Sequence, residues 1–243
     1  MVDISFSHVT KHYERSAFPA LDDIHIFFAD HETTAIIGAS GSGKSTLLQL
    51  INGLLRPSSG AVHLFGTPID YQHITLLRRS IGYVVQGTGL FPHLTVKENI
   101  SLLGKITQWD KRTLHGRIEE LMTLVELPSH FVTRYPHELS GGEQQRVGFC
   151  RALFLNPRIL LLDEAFGALD AITKQEVHKE FLRLKPLKTT TILVTHDVRE
   201  ALKLAEHIIV LHEGRIIQHG TVEEVRKNPE SSITKKLFEA QLS

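Results

Sequence analysis

The opening residues alternate: Ile4, Phe6 and His8 fall on one face and Ser5, Ser7 and Val9 on the other, which predicts a strand. A turn over residues 21–23 leads to a second strand at 24–28, and an apolar strand at 34–37 runs straight into a glycine-rich stretch, Gly38 to Gly43. The spacing then changes. Leu47, Leu48, Leu50, Ile51 and Leu54 mark a helix over 45–55, which Pro57 and Gly60 stop. Strand, glycine loop and helix make the first organising unit. From about residue 87 to 155 the pattern is helical, with Leu114, Ile118, Leu121, Met122 and Val125 on one apolar stripe and a second helix over 139–155. Beyond Pro157 come a strand at 159–162, a helix at 174–184, a strand at 190–194 and a hairpin turning on Glu213-Gly214, followed by a short tail. Buried strands alternating with helices predict an α/β fold with a mainly helical insertion.

Composition narrows the class. Lys plus Arg and Asp plus Glu both number 27, so no overall basic field gathers nucleic acid. Hydrophobic residues make up 42% and charged residues 22%, as in ordinary globular proteins. The longest apolar runs, such as Ile159-Leu160-Leu161-Leu162, fall far short of the about 20 residues that span a bilayer. The first ten residues have no basic leader before an apolar block, so no secretory signal is expected. Cys150 is the single cysteine, which excludes an internal disulfide and fits a reducing compartment. The expectation is a soluble intracellular protein.

Three motifs carry chemistry. Gly38-Ala39-Ser40-Gly41-Ser42-Gly43-Lys44-Ser45-Thr46 fits the P-loop pattern between a strand and a helix. Glycines let backbone amides approach phosphate oxygens, the helix start adds positive field, Lys44 reaches the β- and γ-phosphates, and Ser45 can ligate Mg2+. Residues 158–164 form an apolar run ending in Asp163-Glu164, placed to help hold Mg2+ and to orient an attacking water. Ser140-Gly141-Gly142-Glu143 opens a helix with capping-box spacing and makes a second anion-binding helix start. One nucleotide does not need two such sites from one chain, so the second suits a nucleotide held by another copy.

In order and spacing these motifs resemble those of the ATP-binding cassette family, over essentially the whole chain. The resemblance implies one ATPase domain, 1–243, with a P-loop NTPase core of RecA-like type and mixed sheet at about 1–87 and 156–243. It also implies an N-terminal antiparallel β part and an inserted helical lobe at about 88–155. A head-to-tail dimer would sandwich two ATP molecules between each P-loop and the partner's signature, Ser140 to Glu143. Tyr13 is similar to the aromatic that stacks on adenine, and Gln86 to the glutamine that senses metal and attacking water. Asp170 is similar to the loop that crosses the dimer interface, and His196 to the switch histidine at the γ-phosphate. Many relatives have proline after the Asp-Glu pair. Ala165 stands there in this chain, and because it removes no ligand, hydrolysis is expected to survive.

Residues 81–96, Tyr135-Pro136-His137-Glu138 and Phe166-Gly167-Ala168-Leu169-Asp170 resemble bacterial importer ATPases. The run from Gln86 to His93 is most similar to the osmoprotectant group, which takes up glycine betaine, choline or related quaternary amines. The resemblance implies a separate membrane permease, a second ATPase copy, an extracytoplasmic solute-binding protein and a place on the cytoplasmic side of the inner membrane. Permease coupling helices would dock beside the Gln86 loop, with Leu90, Phe91 and Pro92 either touching them or packing locally. Regulation through a C-terminal cystathionine-β-synthase-type extension, frequent in that group, is not expected. A soluble cassette ATPase of DNA repair or translation, and a regulatory module without turnover, are the alternative readings.

Overall fold

A computed structural model describes residues 3–14, 16–87, 89–167 and 169–242. In chain order the first half contains β1 (Ile4–Lys11), β2 (Leu21–Phe28), β3 (Thr33–Ile37), α1 (Lys44–Ile51), β4 (Ser59–Leu64), β5 (Thr67–Pro68), α2 (Ile74–Arg78), β6 (Ile81–Val84), α3 (Val96–Ile106) and α4 (Lys111–Leu124). The second half contains α5 (Gly141–Leu153), β7 (Ile159–Asp163), α6 (Ala171–Arg183), β8 (Thr190–Val194), α7 (Val198–Leu204), β9 (His207–His212), β10 (Arg215–Thr221), α8 (Val222–Lys227) and α9 (Ser232–Leu242). The chain divides into two compact units, 1–78 with 189–243, and 79–188.

The first unit carries an antiparallel sheet in the order β2-β1-β4-β5, with Ile4 opposite Phe28 and Leu64, and Phe6 opposite Ile26 and Val62. The expected alternation fails at His8. Its φ of 50° accompanies a register shift between Phe6 and Val9, so Val9 turns into the core and His8 out. β2 also starts earlier than expected, because Leu21 pairs with Lys11 and is fully buried. In the second sheet β3 lies between β9 and β8, parallel to both, and β10 returns antiparallel to β9. Every residue of β3 and β8 is buried, which explains why each carries only threonines and apolar residues. Helix α1 stops at Ile51, short of the expected 55. Gly53 has a φ of 67°, and the Arg78 guanidinium donates to the Asn52 and Gly53 carbonyls at that helix end. The tail beyond the hairpin is helical: Val225 of α8 and Phe238 of α9 join Ile37, Val198 and Val210 in one buried cluster.

The second unit is built on a parallel pair, β6 and β7, in register from Ile81–Ile159 to Val84–Leu162. Its helices surround an aromatic core in which Phe149 stands 6.0 Å from Phe166 and 6.3 Å from Phe181 between ring centroids. Truncating one such ring costs about 3–5 kcal/mol. Buried Arg117 donates to the Leu153 and Phe154 carbonyls and closes the end of α5. Among the described residues no helix is long and apolar enough to cross a membrane.

Candidate functional site

In the first unit the site begins where β3 ends. Gly38 and Ser42 are buried, Ser40 and Gly41 are exposed, and Gly43, which has no side chain to cap with, heads α1 at a φ of 107°. Gly41 has a φ of 77°, yet a Cβ there would meet no atom of the described residues within 4 Å. Backbone conformation and open approach, rather than packing, therefore require glycine at that position. Lys44 lies 7% exposed, and its Nζ donates to the Gly38 and Ala39 carbonyls, both at 2.8 Å, which strings the ammonium across the loop. The buried Ser42 Oγ has no hydrogen-bond partner among the described residues. A glycine-headed helix start, a buried cation and an unsatisfied hydroxyl on one open loop fit a phosphate chain. Tyr13 stands over the start of α1 through a 3.2 Å contact between its hydroxyl and Thr46 Oγ1. His196 follows β8, the parallel neighbour of β3, and the Thr195 amide donates to the Ile36 carbonyl at 3.2 Å. The glycine loop and His196 thus leave adjacent strand ends on the same edge.

In the second unit, buried β7 ends at Asp163, which accepts a 3.2 Å hydrogen bond from the Tyr83 hydroxyl of β6. Burial, with the Asp163 charge beside it, pushes the Tyr83 phenol far up, so it remains a protonated donor. Glu164 has a φ of 47°, a left-handed conformation unusual for a glutamate. Its Oε2 accepts from Gln86 Nε2 at 3.0 Å, across parallel strands that end side by side. Ala165, the departure at this turn, is buried at 4% exposure.

Ser140 caps α5: its hydroxyl accepts from the Glu143 amide while the Glu143 carboxylate accepts from the Ser140 amide at 2.7 Å. A Cβ on Gly142 would come within 2.3 Å of Thr173 Cγ2, so α5 and α6 meet there as closely as glycine allows. Asp170 caps α6, accepting from the Ile172 and Thr173 amides. The Thr173 hydroxyl, first, and these amides hold its carboxyl below the usual range. The signature turn and the 169–173 stretch are therefore brought together. Thr88 and Ala168, quoted in the motif stretches, lie outside the described residues.

The family model described as ABC transporter matches residues 21–167, more than half of the chain and inclusive of P-loop, signature and Asp163-Glu164. The chain belongs to the ABC transporter family. Among relatives, it is 44% identical over 227 residues to the choline transport ATP-binding protein OpuBA of Bacillus subtilis, covering 93% of this chain and 59% of OpuBA. It is 42% identical over 236 residues to the glycine betaine uptake system ATP-binding protein YehX of Escherichia coli, covering 97% of this chain and 76% of YehX. This ABC chain thus spans about three fifths of OpuBA's length and about three quarters of YehX's. A dimeric post-hydrolysis structure of the ATP-binding cassette MJ0796, bound to ADP and Pi, superposes with a TM-score of 0.80 at 33% identity, over 90% of this chain and 98% of that one. The α/β fold of this ABC chain is that of the P-loop NTPase cassettes.

Within the ABC site, sequence reasoning misses Tyr83. The run Ile81–Val84 is too short to read as a strand from periodicity alone, and only its pairing with β7 turns the phenol toward Asp163. The Ser45 hydroxyl, Gln86 amide oxygen and Asp163 carboxylate are hard oxygen donors of the kind that Mg2+ takes.

Proposed function

We propose that this chain binds ATP with Mg2+ and hydrolyses it to ADP and phosphate, energising an importer of glycine betaine, choline or a related quaternary amine. The observation that carries the reading is the P-loop: exposed Ser40 and Gly41 beside buried Lys44, at a helix start headed by Gly43. Similarity to OpuBA and YehX supports the solute class.

The loop amides and Lys44 bind the phosphates, and Tyr13 stacks on adenine. Ser45, Gln86 and Asp163 would hold Mg2+, which when bound neutralises phosphate charge. Glu164 orients a water for in-line attack on the γ-phosphorus as the bond to the ADP oxygen breaks, and Gln86 steadies its carboxylate. His196 contacts the γ-phosphate. Ser140, Gly141, Gly142 and Glu143 of a second copy close over the nucleotide in a head-to-tail dimer, with the Asp170 loop at the interface. The helical lobe, 88–155, meets a membrane permease through the loop after Gln86, where Phe91 is 43% exposed. The chain works on the cytoplasmic side of the inner membrane, held there by the permease. A solute-binding protein completes the system outside.

The test is capture of the chain from detergent-solubilised native membranes, followed by reconstitution of the complex in vesicles with ATP on the ATPase side and labelled choline or glycine betaine on the other. The expected result is a polytopic partner and ATP-dependent uptake that Lys44→Ala abolishes. Capture of ribosomal or DNA-bound proteins, or uptake indifferent to quaternary amines, would overturn the assignment.

A further inference from the structure

The C-terminal helix reaches the switch segment. Gln241 of α9 donates from Nε2 to the His196 carbonyl at 2.9 Å and accepts at Oε1 from the Val198 amide at 2.6 Å. These two backbone groups bracket Asp197, so one planar side-chain amide grips the peptide on both sides of it. The Val198 amide is the first of α7 and needs a partner from outside its helix. Asp197 caps the next amide, Arg199, at 2.8 Å, and Gln241 supplies the cap for Val198. The clamp is itself anchored: Arg199 Nε donates to the Gln241 carbonyl at 2.8 Å, and Phe238, one turn earlier, packs in the same cluster as Val198 and Ala201.

We propose that Gln241 is a positioning residue for His196, fixing where the switch imidazole stands through the backbone that carries it. The inference rests on the ATPase reading above. It makes α9 part of the hydrolytic machinery, so that displacement of the C-terminal helix is felt at the switch.

The test compares ATP hydrolysis and ATP binding by the purified full chain as wild type, Gln241→Ala and Gln241→Glu, with amide hydrogen exchange at Val198. In Gln241→Ala, kcat is expected to fall about three- to tenfold and Val198 exchange to speed up by about tenfold, the scale of one lost hydrogen bond, with ATP affinity within about twofold. Gln241→Glu keeps the acceptor for Val198 but loses the donor to His196. It should preserve Val198 protection while lowering kcat as alanine does. A kcat within about 1.5-fold of wild type in both variants, or kcat and ATP affinity falling together, would overturn the proposal. Wild-type phosphate release untouched by Lys44→Ala would instead overturn the ATPase reading, and this inference with it.

Discussion

The two units supply chemistry in different ways. In the first, the proposed phosphate-binding surface is largely backbone: exposed Ser40 and Gly41, the glycine-headed start of α1, and Lys44 tied to two loop carbonyls. In the second, the two proposed catalytic carboxylates each meet a side chain from elsewhere, Glu164 that of Gln86 and Asp163 that of Tyr83, while the signature helix start is capped by its own Glu143. A backbone cradle tolerates changes to most neighbouring side chains, because its donors are peptide amides. A side-chain assembly fails one contact at a time, and by graded amounts.

The largest effect expected from this contrast is at Lys44. Lys44→Ala removes the buried cation from the cradle, so ATP affinity and turnover should both fall by at least about a hundredfold, read by equilibrium nucleotide binding and phosphate release. A variant that binds ATP normally would show that the backbone alone suffices.

The second unit also holds a charge that burial works against. Glu180 of α6 faces Arg146 of α5 at 2.9 Å, with Glu176 and Arg146 at 3.6 Å and Glu126 and Arg183 contributing nearby. Burial outweighs Arg146 and pushes the Glu180 carboxyl up to about 7. Between its ordinary range and pH 7 the folded chain keeps a proton that the unfolded chain has released. Stability is therefore lost as pH rises through that window and levels off above it. The expected loss from this group is about 2–3 kcal/mol between pH 5 and 8, by denaturant titration, and Glu180→Gln should flatten that slope.

Tyr83 gives the smallest effect. Tyr83→Phe removes the donor to Asp163 while leaving the ring, so phosphate release should slow about three- to tenfold and stability fall by about 1 kcal/mol, with ATP binding nearly unchanged. Equal losses in binding and turnover would mean that Tyr83 serves the fold rather than Asp163.

The same division explains what is legible in the sequence. The P-loop, the signature and the Asp163-Glu164 turn are contiguous motifs, and β8, buried at every position, is readable from its β-branched and apolar residues. Alternation fails at His8, because a bulge there shifts the register and no local pattern announces it. Tyr83 meets Asp163 across 80 residues, and Gln241 meets His196 across 45. Contacts at such separations come from strand pairing and helix packing, which periodicity does not encode. The tail illustrates the same limit: α8 has only six residues, and the apolar residues of α8 and α9 make sense only against Val198 and Val210.

The most direct test of the account is ATP binding set beside single-turnover phosphate release in Glu164→Gln, with the oligomeric state followed by light scattering. Binding should persist, release should fall by at least about a hundredfold, and ATP with Mg2+ should trap a long-lived dimer. Release at the wild-type rate, or a chain that stays monomeric at high protein and nucleotide concentration, would contradict the assignment of Glu164 and the two-copy site.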